Sequence, residues 1–394
     1  MNDTLRCKKY WTLSAAVLVA LFAVAEPPSA ETASASPTLT LVSPRTSKNV
    51  AALPAVDGCT VDPARELFIR DVSVVDDCYR TTWTGVCSQP ALPATRGAWT
   101  FGKLMEGVAG TTDPAKLSTF VLNWLLHWKK DIRINGDLVP GRPNVQTKII
   151  DPWVIASGGG QLDMKKAPFR LLAIVARLDL RQNAGYEGGT SAGEGRFVFN
   201  LLDENGNPTQ FLTILEYHLN AESCTDVMSW AGAWHGLGSI PFGPTYSAAL
   251  QSVTDQFTAI GAAPTEPNGS ALSQLRTNDF FLLAPPWELR EFRLGQPTVA
   301  GVPGPLTQVP VAQTVANGHQ RRPIIANYIN SNTAALLAGN HVVPKTFAGS
   351  NFKGGASSHM IDFDWDGPQP PPCGAISTPD ARHVFSRETC NGCH

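Results

Sequence analysis

The chain has 394 residues, of which 43% are hydrophobic and 16% charged, a composition typical of folded proteins with a large core. Its formal net charge is −2, so the composition provides no basic field that would attract nucleic acid. The 34 glycines and 31 prolines favour many turns and irregular connections over a helical bundle. A chain of this length predicts about two domains.

Residues 1–25 have the three parts of a secretory signal peptide. These are basic residues (Arg6, Lys8, Lys9), an apolar run (Leu13–Phe22) and an A-x-A cleavage site (Ala23–Ala25), with Ser29-Ala30 as a second option. Cys7 precedes the apolar run, whereas a lipid-anchoring cysteine would follow it. No later stretch is long and apolar enough to cross a bilayer. We therefore expect export (to the periplasm, the outer surface or the medium) without a lipid anchor or a transmembrane span.

Export makes disulfides possible, because they form in oxidising compartments. Of the eight cysteines, Cys7 leaves with the signal, and Cys390 and Cys393 belong to a motif at the end of the chain. The others are Cys59, Cys78, Cys87, Cys224 and Cys373. Cys78 and Cys87 bracket a short loop and are the first predicted disulfide.

Residues 26–57 are rich in Ala, Ser, Thr and Pro and predict a flexible leader. A globular body of unknown role is predicted for residues 58–366. Within it, Asp113-Pro114 is typical of a helix start, because Asp caps free N–H groups and Pro fits the first helical position. One apolar face follows at helical spacing: Leu117, Phe120, Val121, Trp124, Leu125 and Trp128.

Strands follow this helix in the predicted order. Arg170–Leu180 predicts a buried strand, and Phe197–Leu202 and Phe211–Leu219 flank an Asn-Gly turn that predicts a hairpin. The later elements are a helix capped by Thr245 and stopped by Gly261, a strand over Trp287–Leu294, and a helix over Ile324–Leu337 closed by Gly339. This mixture predicts the α+β class, with β-hairpins and amphipathic helices.

The composition changes at a proline-rich linker, residues 367–376, which predicts a stiff, extended connection. Thr378 then caps a new helix with Pro379 at its first position, and Ala381, Val384 and Phe385 share one face. This helix leads directly to the last residues of the chain, RETCNGCH. We assign residues 377–394 to a separate segment.

Cys390, Cys393 and His394 form the C-x-x-C-H pattern of covalent haem attachment. Two thiols bind the two vinyl groups of one haem, and the histidine after the second thiol is the proximal ligand of the iron. The alternatives are a thiol-redox pair, a structural disulfide and half of a zinc site. A redox pair normally lies at the start of a helix, whereas this motif follows one, and a zinc site needs further ligands.

Residues 377–394 resemble the first helix of a c-type cytochrome domain, with one departure, since Phe385 lies five residues before Cys390 and four is the commoner spacing. The stretches LFIRDVSVVDD, APFRLLAIVARLDLR, SAGEGRFVFNLLD, GSALSQLRTNDF and PWELREFRL resemble a largely uncharacterised family of exported bacterial proteins with a C-terminal c-type haem domain. The resemblance covers most of residues 65–394. It implies that the chain continues beyond the motif, so we expect the cytochrome segment to be truncated here.

A second possibility is that the haem docks onto the body, which then supplies the distal ligand. The histidines and methionines that qualify are His359, Met360, His383, His319, His341, Met228 and Met164.

Three other groups of residues have both a functional and a structural interpretation. Glu216 and His218 share a strand face and, with His235, form a possible metal site; alternatively Glu216 pairs with an arginine. Ser191–Arg196, with Asp179 and Arg181, forms either a substrate pocket or ion pairs that order loops. The alternating acids Asp362, Asp364 and Asp366 either bind calcium or form a solvated strand edge, which is the more frequent case.

The sequence therefore predicts an exported c-type haem protein that transfers electrons to or from a redox partner protein. Cys390 and Cys393 carry the haem c, and His394 is the proximal ligand and binds the haem iron. Two alternatives stay open. The body is an enzyme for which the haem is a redox partner, or the chain is a binding or structural module with an inert motif. No small-molecule substrate is assigned.

Overall fold

The computed structural model describes residues 67–83, 87–88, 96–181, 191–221, 223–319, 323–358 and 376–393. The predicted signal peptide, the leader, most of the proline-rich linker and the three acids at 362–366 lie outside these residues. In chain order, the first elements are β1 (Leu67–Ile69), α1 (Val72–Val75), α2 (Cys78–Thr81), α3 (Phe101–Ala109), α4 (Pro114–Leu126), β2 (Ile132–Ile134), β3 (Asp137–Val139), α5 (Asp151–Ala156), β4 (Phe169–Arg177), β5 (Ser191–Leu202) and β6 (Pro208–Asn220). They are followed by α6 (Cys224–Gly236), α7 (Pro244–Thr258), β7 (Leu272–Asp279), β8 (Glu288–Leu294), β9 (Leu306–Val309), α8 (Pro323–Ser331), α9 (Thr333–Leu337), β10 (Thr346–Phe347), β11 (Ser350–Asn351), β12 (Ser357–Ser358), α10 (Pro379–Glu388) and α11 (Cys390–Cys393).

The main sheet has eight strands within the described part of the chain. Their order is β1-β4-β5-β6-β7-β8, and both β9 and β12 pair with β8. All of these pairings are antiparallel. The short pairs β2–β3 and β10–β11 are separate two-stranded sheets. An antiparallel sheet with several helices confirms the predicted α+β class.

Helices α3, α4 and α7 cover one face of the sheet. Ring centroids lie 5.7 Å apart for Phe101 of α3 and Phe199 of β5, and 6.2 Å apart for Trp124 of α4 and Phe292 of β8. Helix α7 comes close to β5 because Gly195 has no side chain. A Cβ there would lie 2.6 Å from the ring carbon Cζ of Phe257.

Local sequence signals predicted several elements correctly. The Asp113 carboxylate accepts hydrogen bonds from the backbone N–H groups of Ala115 (2.9 Å) and Lys116 (3.1 Å) at the start of α4, whose predicted apolar face is buried. The β5–β6 hairpin turns at Gly206, whose φ is +80°, as an Asn-Gly turn requires. The predicted strands at Arg170–Leu180 and Trp287–Leu294 correspond to β4 and β8.

Two predicted helix boundaries were wrong. Helix α7 starts at Pro244 and not after a cap at Thr245, since Pro fits the first helical position and Gly243 precedes it. The predicted helix Ile324–Leu337 is two helices, α8 and α9, separated at Asn332. The Asn332 side chain donates a hydrogen bond to the Tyr328 carbonyl oxygen (2.8 Å), so it competes with the backbone for a helical acceptor.

Helix α10 packs into a second hydrophobic cluster together with α8 and α9. The buried members of this cluster are Val315, Ile325, Tyr328, Ile329, Leu336, Val343, Phe352, Ala381 and Phe385. Ring centroids of Tyr328 and Phe385 lie 5.4 Å apart. Residues assigned to the body and residues assigned to the cytochrome segment therefore share one hydrophobic core.

Candidate functional site

The C-x-x-C-H motif begins directly after α10. Helix α10 spans Pro379–Glu388, with Pro379 at its first position, as predicted. Thr378 occupies the predicted N-cap position, but its side chain makes no capping hydrogen bond there. Cys390–Cys393 form the short helix α11. The side chain of Cys393 and the whole of His394 lie outside the described residues. The Cys390 side chain is therefore the part of the predicted haem site whose surroundings the structure describes.

Cys390 is half-buried against an apolar wall formed by Trp287, Leu289 and Val311. Its thiol is free. The other cysteines with described side chains are oxidised: Cys78 and Cys87 form the predicted disulfide, and Cys224 is also disulfide-bonded. Among the cysteines with described side chains, Cys390 alone keeps a free thiol.

The segment Ala312–Val315 holds the start of the motif in place. The Gln313 carbonyl oxygen accepts a hydrogen bond from the Cys390 backbone N–H (3.3 Å), and the Val315 carbonyl oxygen accepts one from the Asn391 side-chain amide (2.8 Å). Asn391 is fully buried. Both contacts join residues more than seventy positions apart in the sequence.

Gln313 adopts a strained backbone conformation, with φ at +49°, in a region that non-glycine residues rarely occupy. Its buried side chain offsets this strain with two hydrogen bonds. Its Nε2 donates to the His341 carbonyl oxygen (2.8 Å), and its Oε1 accepts from the Val343 backbone N–H (2.8 Å). We call Ala312–Val315 the seat of the motif, because this rigid segment of the body holds Cys390 and Asn391 in place.

Six charged residues form a continuous row on the sheet face opposite α3, α4 and α7. We call this row the charge ladder: Glu194 and Arg196 of β5, Glu216 of β6, Arg276 of β7, and Glu291 and Arg293 of β8. Side chains alternate between the two faces of a strand, so sequence neighbours of the ladder residues, such as Phe197, Leu215, Leu275 and Phe292, lie in the core on the helix side. Arg196 lies opposite Glu216, and Arg276 opposite Glu291, in the strand register.

The signs of the charges alternate along the ladder. An Arg196 guanidinium nitrogen lies 2.6 Å from a carboxylate oxygen of Glu194 and 3.6 Å from one of Glu216. Arg276 lies 3.6 Å from Glu216 and 3.1 Å from Glu291. Glu216 and Glu291 are each only 1% exposed, so these contacts are screened little by solvent.

Glu194 and Glu216 ionise differently although they share Arg196. Burial, reinforced by the Glu216 charge, raises the pKa of Glu194 to about 7 against the pull of Arg196 and Arg276. Burial also opposes the charge of Glu216, yet Arg276 and Arg196, with a hydrogen bond from Gln274, hold its pKa below the usual value. Near neutral pH Glu194 is therefore about half protonated, whereas Glu216 stays ionised.

The ladder and the motif are in electrostatic contact. Burial raises the pKa of the Cys390 thiol, while Arg276 and a hydrogen bond with Thr314 counteract the rise. The charges of Glu291 and Glu216 raise this pKa further. The Ala312 backbone N–H also donates to a Glu291 carboxylate oxygen (3.0 Å), which links the motif's seat to the ladder.

The candidate distal ligands lie in different places. His341 is buried, with its Nδ1 3.0 Å from a carboxylate oxygen of Glu388. The His319 Nε2 contacts the Asn351 carbonyl oxygen, and His383 is exposed on α10. Met164 lies in the main hydrophobic core and Met228 is exposed on α6, while His359 and Met360 lie outside the described residues.

Two of the other predicted groups form ion pairs in the described part of the chain. Glu216 contacts two arginines, which is the ion-pair alternative to the metal site, and no group of metal-binding side chains occurs among the residues described. Ser191–Arg196 lies within β5, and Arg177 and Asp179 form an ion pair at 2.7 Å. Sequence reasoning missed Arg276, Glu291 and Arg293. The available signal for the last two was the alternation of Glu291 and Arg293 with Phe292 and Leu294 in ELREFRL.

No family model, curated protein or solved structure matches this chain. The described residues also contain no helix with the length and apolar character needed to cross a bilayer. The function must therefore be argued from the site.

Proposed function

We propose that this protein is an exported c-type haem protein that transfers electrons. In this proposal Cys390 and Cys393 bind haem c through thioether bonds, and His394 is the proximal ligand of the iron. The observation that carries the proposal is the state of Cys390. Its thiol is free and lies against an apolar wall, while the other cysteines with described side chains are disulfide-bonded.

The surroundings of Cys390 fit the group. Thioether formation requires a reduced thiol, and a porphyrin needs an apolar surface to lie against. Trp287, Leu289 and Val311 supply that surface, and the hydrogen bond from the Cys390 backbone N–H to the Gln313 carbonyl oxygen holds the point of attachment. When bound, haem supplies one-electron exchange. The protein's own residues hold it, limit its contact with water and determine the charge around it.

The disulfides support export, because such bonds persist in oxidising compartments. We place the protein in the periplasm, on the outer surface or in the medium. Electron transfer needs a second protein that donates or accepts electrons, so a redox partner is part of the proposal. No substrate is proposed for the body.

The test is a haem stain of the protein after denaturing electrophoresis. The full chain, with its signal, is expressed in a host that matures c-type cytochromes, beside a double variant (Cys390→Ala, Cys393→Ala). A second double variant (Cys78→Ala, Cys87→Ala) is the matched control, because it also removes two cysteines. We expect stain in the wild type and the control and none in the first variant. Unstained wild-type protein would refute the proposal.

A further inference from the structure

The site contains a titratable carboxyl that haem attachment does not use. Glu194 lies at one end of the charge ladder, and the residue is 5% exposed. It has one close guanidinium, Arg196 at 2.6 Å. Glu216 instead has two guanidinium groups at 3.6 Å and the Gln274 amide. Among the described residues, Arg276 and Gln274 add to the compensation of Glu216, so Glu194 is the less well compensated of the two.

We propose that Glu194 is a proton-binding site coupled to the electron of the haem. The inference rests on the proposed function. Glu194 takes up one proton from water when the haem region gains one electron from a donor protein, and releases it when the electron leaves. One negative and one positive charge arrive together, so the net charge of the buried region does not change.

The coupling follows from shared neighbours. The Cys390 thiol interacts with Arg276 and Glu216, and so does the Glu194 carboxyl. A charge added beside Cys390 therefore changes the environment of the same two groups that set the ionisation of Glu194. Buried charges are screened little, so the effect persists at physiological ionic strength.

Charged groups face Glu194 from every described element packed beside it on this face. Arg177 faces it from β4, Arg196 from its own strand, and Arg276 from β7. From β6 it is faced by Glu216 and by His218, its partner in the strand register. The pKa of Glu194 is raised to about 7, so a modest change in the surrounding charge changes how far this carboxyl is protonated at neutral pH.

The experiment measures the reduction potential of the matured full-length protein by visible spectroscopy between about pH 5.5 and 8.5. Reduction favours the protonated carboxyl, so the potential should fall as pH rises. The slope is steepest near neutral pH and cannot exceed about 59 mV per pH unit, the value of a tenfold change for one electron. In Glu194→Gln the potential should not change in this window.

Asp255→Asn is the matched control. Asp255 is a half-buried carboxyl whose pKa burial also raises, but it lies on α7, on the other side of the sheet. This variant should keep the wild-type slope. In a second ladder variant, Arg196→Lys, the pH range over which the reduction potential falls should move to higher pH. The Glu194 carboxylate loses the two hydrogen bonds that the Arg196 guanidinium donates, so its pKa rises.

The outcomes separate the two proposals. Haem that stains but shows a pH-independent potential would overturn the inference and leave the haem assignment intact. The same holds if Glu194→Gln keeps the slope. Should Glu194→Gln fail to fold, a wild-type slope that Arg196→Lys does not move would also overturn it. Absence of covalent haem would overturn both.

Discussion

Strands β7 and β8 carry a buried charge cluster on each of their two faces, and the clusters differ in how their charges are paired. On the face toward the helices, Arg142 and Arg290 surround Asp279 and Glu288; we call these four residues the closed cluster. Arg142 lies 2.5 Å from Asp279 and 3.3 Å from Glu288. Arg290 lies 2.8 Å from Glu288 and 4.0 Å above the Trp128 ring.

Each carboxylate of the closed cluster has a close guanidinium of its own. Asp279 also accepts hydrogen bonds from the backbone N–H groups of Leu283 (3.0 Å) and Ala284 (3.3 Å). In the ladder, Arg196 reaches both Glu194 and Glu216, just as Arg142 reaches both carboxylates of the closed cluster. The difference lies at Glu194, where burial and the neighbouring charge of Glu216 raise the pKa to about 7. The ladder therefore contains a carboxyl that titrates near neutral pH.

The largest expected effect is the loss of one guanidinium from the closed cluster. Arg142→Met leaves the fully buried Asp279 without its partner, so the free energy of unfolding should fall by about 3–5 kcal/mol. Arg170→Met is the matched control, because Arg170 and its partner Asp76 are 49% and 38% exposed. The control should lower the free energy of unfolding by at most about 1 kcal/mol. Equal losses in urea unfolding would show that the closed cluster contributes no more than a surface pair.

The next effect is the pH dependence of stability that the ladder contributes. The pKa of Glu194 is raised from 4.5 to about 7, so the folded protein binds this proton more tightly than the unfolded chain. The resulting stability is fully present below about pH 4.5 and is lost as pH rises toward 7. Relative to Glu194→Gln, the wild type should therefore lose about 3 kcal/mol across this range. Parallel urea titrations of the two proteins that show the same pH dependence would contradict this.

Strand β5 tests whether the two faces are assigned correctly. Gly195 lies between the ladder residues Glu194 and Arg196 and faces Phe257, so Gly195→Ala should destabilise the protein by about 1–3 kcal/mol. The control is Gly232→Ala in α6, where nothing lies within 4 Å of the added Cβ. That change should stabilise the helix by up to about 1 kcal/mol. If thermal unfolding shows no loss for Gly195→Ala, Glu194 and Arg196 do not face away from α7.

The sequence predicted the parts of the fold that depend on neighbouring residues. Asp113 caps α4 through backbone groups two and three positions away, and the β5–β6 turn depends on Asn205-Gly206. It did not predict that α10 would share a core with α8, because that contact depends on tertiary packing and has no local signal. Likewise, the division of the third helix at Asn332 depends on a side-chain hydrogen bond that competes with helix propensity.

For the candidate site, the sequence placed Glu216 and His218 on one face and offered an arginine as the alternative partner of Glu216, but it did not identify which arginine. That partner depends on the strand order, in which β6 lies between β5 and β7. Arg196 and Arg276 reach Glu216 only through this order, and Arg276 lies sixty residues further along the chain. Cys390 was predicted from a local motif, whereas its seat on Gln313 comes from a distant part of the chain.

The smallest expected effect concerns the contact between the motif and its seat. Asn391→Ala removes the hydrogen bond to the Val315 carbonyl oxygen, which should cost about 1 kcal/mol and let α11 open more often. In haem-free protein carrying Cys393→Ala, alkylation of Cys390 should then become about fivefold faster. Asn205→Ala, at the exposed tip of the β5–β6 hairpin, should leave the rate unchanged. An unchanged alkylation rate in Asn391→Ala would mean that Trp287, Leu289 and Val311 hold α11 in place without a contribution from the Asn391 hydrogen bond.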